Sequence, residues 1–487
     1  MSTETHAPPG RLRVEGELGW LRRVLVCSPG EELRRVPPGE RDRYLVEDLL
    51  WLERTAEQHA SFVEVLRTLM RAAPGGGHAE VLDLRAELRG ALCSARAADA
   101  ASALLTQICE LEPRLSGANL DEELGELRGL LSAQSERLCD ALIAGVIEPR
   151  LSPGREVFRI CPSPNIIFAR DYQFVLGGGA FLSSMAKQAR WKEPAIARFL
   201  FDHALGLGAV SFDVRELLLG ARATRRIEAA PGELLIEGGD VMALSRDLVL
   251  VGISERTTLR GATALALSLR WLRQRAPEAF PFTELCAVEM PPKRAMMHLD
   301  TVFTLVEHGL ALAYPPLTFP GAREEMPVFS CDLACDPEAP VDFRPAGSFS
   351  EAMSKRLSRP KRPLTLIAGG GHERSFQHRE QWCDACNAVA VGPGVAVSYD
   401  RNDRTLAALR ALDKPGEALI ATPGKRRAPA DHLRPFTVVH AADLTPKRAR
   451  DLIASGARVM ACIDGGELGR ARGGPHCMTM ALHREAE

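Results

Sequence analysis

The chain alternates between two kinds of segment, and that alternation limits its fold more than any other feature. Short apolar runs stop at glycine or proline, and longer stretches with helical spacing lie between them. Arg22-Arg23-Val24-Leu25-Val26-Cys27 reads as a buried strand closed by the turn Ser28-Pro29-Gly30. From Glu40 to Arg71 the apolar residues Leu45, Leu49, Leu52, Phe62, Leu66 and Leu69 recur at helical intervals, and Pro74-Gly75-Gly76-Gly77 stops that helix. Val175-Leu176 running into Gly177-Gly178-Gly179, the run from Leu248 to Val251, and the run from Phe303 to Val306 read as strands. Thr263 to Gln274 reads as a helix, and the Ser-, Lys- and Arg-rich stretch from Ser348 to Pro363 as a surface loop or short helix. Strands separated by helices imply an α/β fold. Between His78 and Arg150 the composition shifts to Leu, Ala, Glu and Arg with almost no strand signal, which reads as an inserted bundle of amphipathic helices. The expected organisation is therefore an α/β part over residues 1–77, a helical insert over 78–150, and the rest of the α/β part over 151–487.

Composition narrows the class. With 46% hydrophobic and 25% charged residues the chain is that of an ordinary globular protein, and its net charge of -2 gives no field directed at nucleic acid or an anionic membrane. The first nineteen residues hold no apolar run suited to a signal peptide, and no stretch approaches the roughly 18 apolar residues of a membrane helix. Twelve cysteines scattered along the chain are expected to be reduced thiols, and a cytoplasmic enzyme is the expectation. Cys331 with Cys335 and Cys383 with Cys386 have spacings that can hold zinc, but the pairs stand far apart in the chain and are read as free thiols.

Four segments carry chemistry. Cys477 follows Gly473-Gly474-Pro475-His476, where glycines permit close approach of backbone to a ligand. His298-Leu299-Asp300 precedes β-branched and aromatic residues, so a strand is expected that points His298 and Asp300 to one side; a hydrogen-bonded core pair is the alternative. Asn165 to Asp171 reads as a strand emerging into a loop, or as a turn closed by Arg170 and Asp171. Glu237-Gly238-Gly239-Asp240 places two acids around a glycine pair, either crowding one ligand or forming a turn between strands.

Phe168-Ala169-Arg170-Asp171, Glu237-Gly238-Gly239-Asp240, the run from Met297 to Thr304 and the run from Gly473 to Met478 occur in the order and spacing found in arginine deiminases, and the chain resembles that family. Further matches are the run from Val24 to Gly30, Asp48-Leu49-Leu50-Trp51, Arg379-Glu380-Gln381-Trp382, and Pro393-Gly394 leading to Tyr399-Asp400-Arg401-Asn402. Ala169 departs from the family's usual threonine, Cys383 and Cys386 fall in a stretch that is usually acidic or amide-rich, and the segment after Asn402 is looser than the usual pattern.

The resemblance implies a five-bladed α/β propeller (pentein) of ββαβ-type units with an inserted helical bundle. It implies that Cys477 attacks the guanidinium carbon of L-arginine and that His298 moves protons, with Glu237 holding His298 oriented or protonated. Asp171 and Asp300 would grip the guanidinium nitrogens. Asn165, Arg190 and Arg256 match positions that bind the α-carboxylate, Phe168 and Arg472 line the same pocket, and Asp240 belongs with the substrate-binding set. No metal or other cofactor is called for, and a homo-oligomer, dimer or tetramer, is expected. The alternatives are an arginine dihydrolase or amidinotransferase of the same fold, or a silent arginine-binding protein. Dihydrolase relatives tend to carry an amide at one guanidinium-binding position, whereas both positions here are aspartate. Asp171 to Arg190 and Glu237 to Arg256 span the same interval, 190 − 171 = 256 − 237 = 19, as corresponding parts of two units would.

Overall fold

The structure, a computed structural model, describes residues 12–75, 79–112, 135–147, 158–213, 233–414, 416–424 and 428–486, with isolated helical positions at 125, 127 and 129. The fold is mixed α/β. Among the described residues, five of six sheets share one plan: an antiparallel strand pair (a hairpin in four of them), a helix, and a further strand parallel to the pair's second strand.

Gln173–Leu176 and Gly179–Leu182 form one such hairpin, and Ser211–Asp213 joins it after the helix Glu193–His203. Val241–Ser245 and Leu248–Ile253 form the next, joined by Glu284–Glu289 after the helix Leu259–Arg275. Phe303–Glu307 and Leu310–Ala313 are joined by Thr365–Ala368, with the helix Phe349–Leu357 between. Val389–Gly392 and Val395–Tyr399 are joined by Arg458–Ile463, which also takes Phe436–His440 in parallel. The last unit unites the two ends of the chain. Met480–Arg484 pairs antiparallel with Leu21–Val26, and Glu80–Asp83 adds in parallel after the helix Leu52–Ala72.

These sheets are covered on their faces, so most strands are buried along their length, as parallel pairing and crossover helices require. No helix among the described residues is long and apolar enough to cross a membrane.

Several local readings need correction. The helix expected from Glu40 starts only at Leu52, because Leu45 lies in the left-handed region (φ 58°) and breaks the period. Glu80–Asp83, inside the segment read as an inserted helical bundle, is a strand; the helices Leu84–Leu92, Ala98–Leu111 and Ser135–Ala144 follow it. Asn165 lies not on a strand but in the 3-10 turn Pro164–Ile167, opened by Pro164, and the strand comes after Asp171. His298 and Asp300 are not on a strand either. Leu299–Thr301 curls into a 3-10 turn before the strand at Phe303, as the Thr301 hydroxyl donates to the His298 carbonyl at 2.7 Å. The stretch from Ser348, by contrast, holds the short helix that was one of its two expected readings, Phe349–Leu357, started by reciprocal bonds between Ser348 and Glu351.

The hairpin at Gly177-Gly178 shows how tightly the units join. Gly177 has φ 57°, and a Cβ there would lie 2.1 Å from the Ala279 carbonyl oxygen of the neighbouring unit. Gly177→Ala is therefore expected to destabilise the protein by about 1–3 kcal/mol, read as a lower urea midpoint at unchanged m-value.

Candidate active site

Each unit's first strand is entered through a buried turn closed by an amide three residues on. Asp171 N–H donates to Phe168 O, Asp240 to Glu237 O, Thr301 to His298 O, Asn387 to Asp384 O, and Thr479 to His476 O, all at 3.0–3.2 Å. Every sequence-derived catalytic candidate sits on one of these turns.

The turns are bonded to one another in a closed circuit. Gly238 N–H donates to Asp171 O at 2.8 Å, and Leu299 N–H donates to Asp240 Oδ1 at 3.0 Å. Asn387 Nδ2 donates to Asp300 O at 3.2 Å, and Cys477 N–H donates to Asn387 Oδ1 at 3.0 Å. Arg170 N–H returns to Cys477 O at 3.1 Å.

Cys477 is buried within this circuit. Its thiol donates to Asp300 Oδ2 at 3.4 Å and accepts from Asn387 Nδ2 at 3.1 Å. Burial and then the carboxylates of Asp300, Asp171 and Asp384 push the thiol well above its ordinary range. Asp300 Oδ2 also meets His476 Nδ1 at 2.9 Å, and His476 Nε2 meets Glu17 at 3.4 Å. Burial disfavours the Asp300 charge, but the hydrogen bond to His476, with His298 and Arg170, outweighs it and lowers the carboxyl's pKa. Among the described residues, Asp171 Oδ1 and Asp300 Oδ1 are buried without a hydrogen-bond partner.

His298 Nε2 bonds Glu237 at 2.8 Å, and Nδ1 faces Asp171 Oδ1 at 3.7 Å. The imidazole covers Gly239, where a Cβ would lie 2.5 Å from Nδ1. Burial pulls the imidazolium down, but Asp171, Glu237 and Asp240 outweigh it and raise the ring to about 9. Burial likewise opposes the Glu237 charge, and Arg256 with His298 overcomes it, bringing Glu237 to about 2.

The equal intervals correspond to two matching ion pairs. Arg190 Nη1 meets Asp171 Oδ2 at 2.5 Å, and Arg256 Nη1 meets Glu237 Oε2 at 3.7 Å. In each, the acid precedes a hairpin and the arginine follows it.

The arginine deiminase family model matches residues 146–484. The arginine deiminase of Rhodococcus opacus (strain B4) is 30% identical over the full length of both chains. That of Mycobacterium marinum is 30% identical over 96% of this chain and 97% of its own, and that of Listeria monocytogenes serotype 4a 27% identical over 97% and 98%. The chain belongs to the arginine deiminase family. It is accordingly a hydrolase acting on carbon–nitrogen bonds. Among solved structures, the product-bound N-terminal domain of ArgZ, a cyanobacterial arginine dihydrolase, aligns with TM-score 0.43 and 15% identity over 95% of this chain and 97% of that one. Unliganded AgrE aligns with TM-score 0.44 and 15% identity over 96% of this chain, which spans 40% of AgrE.

Several residues singled out by resemblance to the arginine deiminases are bonded to protein here. Asp240 does not present a free carboxylate: Oδ2 accepts from Ser254 at 2.7 Å and Oδ1 from Leu299 N–H, and burial raises it to about 7. Each nitrogen of Arg190 bonds a protein acceptor, Glu193, Asp171 or the Asn165 carbonyl, leaving two N–H groups over, and Asn165 Nδ2 donates to Tyr44 O at 2.6 Å. Arg472 lies 3.7 Å over the Trp382 ring and bonds Ala295 O through Nη2, while its Nε and Nη1 are buried without a hydrogen-bond partner among the described residues; Arg256 Nε faces Glu255 Oε1 at 3.8 Å, too far for a hydrogen bond. Phe168 packs on Gly473, where a Cβ would lie 2.2 Å from the ring.

The sequence reading passed over Asn387, Asp384, Glu17 and His476's role. The repeated turn before each apolar hairpin was the signal that would have exposed the first two. Because its folded value lies above the ordinary 6.5, His298 contributes stability that is complete below pH 6.5 and lost as pH rises through about 9. NMR of the ring is expected to show titration near 9, moving down in Glu237→Gln; titration near 6.5 in the unmodified protein would refute that environment.

Proposed function

We propose that this protein hydrolyses free L-arginine to L-citrulline and ammonia through a covalent amidino-thioether on Cys477. One observation carries the reading: a thiol lies beside two buried aspartates whose Oδ1 atoms have no hydrogen-bond partner among the described residues. Buried carboxylate oxygens without a hydrogen-bond partner favour a cation that brings its own hydrogen bonds, and a guanidinium has the planar donor pattern for two carboxylates.

The acids that receive the substrate hold the thiol protonated until that cation arrives. A guanidinium between Asp171 and Asp300 offsets their charge and favours the thiolate. The thiolate sulfur bonds to the guanidinium carbon, and the C=N electron pair moves onto nitrogen. His298, as imidazolium, gives its proton to the departing nitrogen; the C–N bond breaks and ammonia leaves with the pair. Water then bonds to the carbon of the cationic thioether while His298 takes its proton. The C–S bond breaks, the thiolate leaves with the pair, and the last hydroxyl proton departs with ammonia as ammonium. Glu237 keeps His298 charged for the first transfer, and Asp240 holds the turn that carries it.

The α-carboxylate goes to the basic pocket of Arg472, Arg256, Arg190 and Asn165, with Phe168 along the substrate. Nε and Nη1 of Arg472, buried with no hydrogen-bond partner among the described residues, support this role most directly. The five like units are the blades of a five-bladed propeller, with the helices Leu84–Leu92, Ala98–Leu111 and Ser135–Ala144 belonging to the insert. The closed circuit of turns and the union of the chain ends in one sheet support that arrangement. Twelve free thiols fit a reducing cytoplasm.

Purified protein with L-arginine is expected to yield citrulline and ammonia in equal amounts, and Cys477→Ala to yield none. Ornithine with two ammonia per arginine would overturn the assignment in favour of a dihydrolase. Asp171→Asn is expected to lower kcat/KM about 100-fold or more, since it removes a charge-assisted bond to the reacting group.

A further inference from the structure

We infer that Asn387 is a catalytic residue: its carboxamide fixes Cys477 at two points and supplies the hydrogen bond that stabilises the attacking thiolate. The inference rests on the reading of Cys477 as the nucleophile and adds a group to it.

The geometry assigns each end of the amide. The Cys477 backbone N–H can only donate, so the atom 3.0 Å from it is Oδ1. Nδ2 therefore faces Cys477 Sγ at 3.1 Å and the Asp300 carbonyl at 3.2 Å, and a flipped amide would set donor against donor and acceptor against acceptor. The backbone strengthens the hold, as His476 N–H donates to Asn387 O at 3.2 Å. Gly474 lets the chain lie against this residue; a Cβ there would stand 2.6 Å from Oδ1 and 2.7 Å from the carbonyl oxygen.

The chemistry assigns the role. The charged groups acting on Sγ are carboxylates, Asp300, Asp171 and Asp384, and each disfavours a thiolate. Asp300 Oδ2 accepts from the thiol and has nothing to offer once the proton is gone. Among the described residues, Asn387 Nδ2 is the donor directed at the sulfur. It is neutral, so it stabilises the anion without competing with the substrate cation for the neighbouring aspartates. The thiol proton leaves to solvent when the guanidinium binds, and the sulfur keeps its electron pair until the S–C bond forms.

Two variants separate this role from bracing of the turn. Asn387→Ala removes both ends of the clamp. Asn387→Asp keeps an oxygen for the Cys477 N–H and removes Nδ2, the donor to the sulfur and to the Asp300 carbonyl. The probe is iodoacetamide, neutral and small, with modification of Cys477 followed by mass spectrometry across pH and thermal unfolding recorded in parallel. Both variants are expected to shift Cys477 alkylation to higher pH and to lower kcat about 10- to 100-fold, with KM changed far less. Asn387→Asp is expected to do so while unfolding at close to the temperature of the unaltered protein. An unchanged alkylation profile in a folded Asn387→Asp variant would overturn the inference. If the unaltered protein formed no citrulline while the alkylation profile still followed Asn387, the proposed substrate would fail and the role of Asn387 would stand.

Discussion

The circuit of hydrogen bonds among the turns is the constraint on which the rest of the site depends. Each turn is buried, so its amides and carbonyls need partners that water does not supply, and the neighbouring turn supplies them. Such partners require contact distances that a side chain would forbid. At Gly238 a Cβ would stand 2.0 Å from the Arg170 carbonyl oxygen, and at Gly239 2.5 Å from the His298 ring. The glycines therefore set how closely the units meet. The same bonds carry position: Asp240 holds Leu299 beside His298, and Asn387 holds Cys477.

Electrostatics is arranged around the same circuit. The groups that balance its acids lie to the side: the Arg190 guanidinium on Asp171, the Arg256 guanidinium on Glu237, and a hydrogen bond between His476 Nδ1 and Asp300 Oδ2. The sulfur is left facing carboxylates. Neighbouring acids consequently behave differently. Asp240 is pushed up to about 7 by burial although both its oxygens accept bonds, whereas His476 keeps Asp300 charged. A centre of this kind is poised against ionisation of its own thiol, and a cationic ligand reverses the balance.

Much of the fold was legible because the strands are short apolar runs with glycine at their ends. The runs at Leu21–Val26, Leu248–Ile253 and Phe303–Glu307 and the helix Leu259–Arg275 lie where the pattern puts them. The helix before Leu52 departs from the pattern because Leu45 takes a left-handed conformation, and the strand at His298 because local propensity says nothing about a bond arriving from elsewhere in the chain. Leu299 is turned by the Asp240 carboxylate and Arg170 by carbonyls of the Cys477 turn, 59 and more than 300 residues away respectively.

The sequence by itself determined the α/β class, the acids, the histidine and the thiol, and the motifs that mark the family, since residue type and spacing are local properties. It also held the equal interval behind the two acid–arginine pairs. Only the tertiary structure decided what each group faces. It made Asp240 a brace, gave Arg190 protein partners, brought Asn387 onto the sulfur and left one oxygen each of Asp171 and Asp300 without a bond among the described residues. Those outcomes depend on burial and on the direction of single hydrogen bonds between distant segments, and both arise only when the units close on one another.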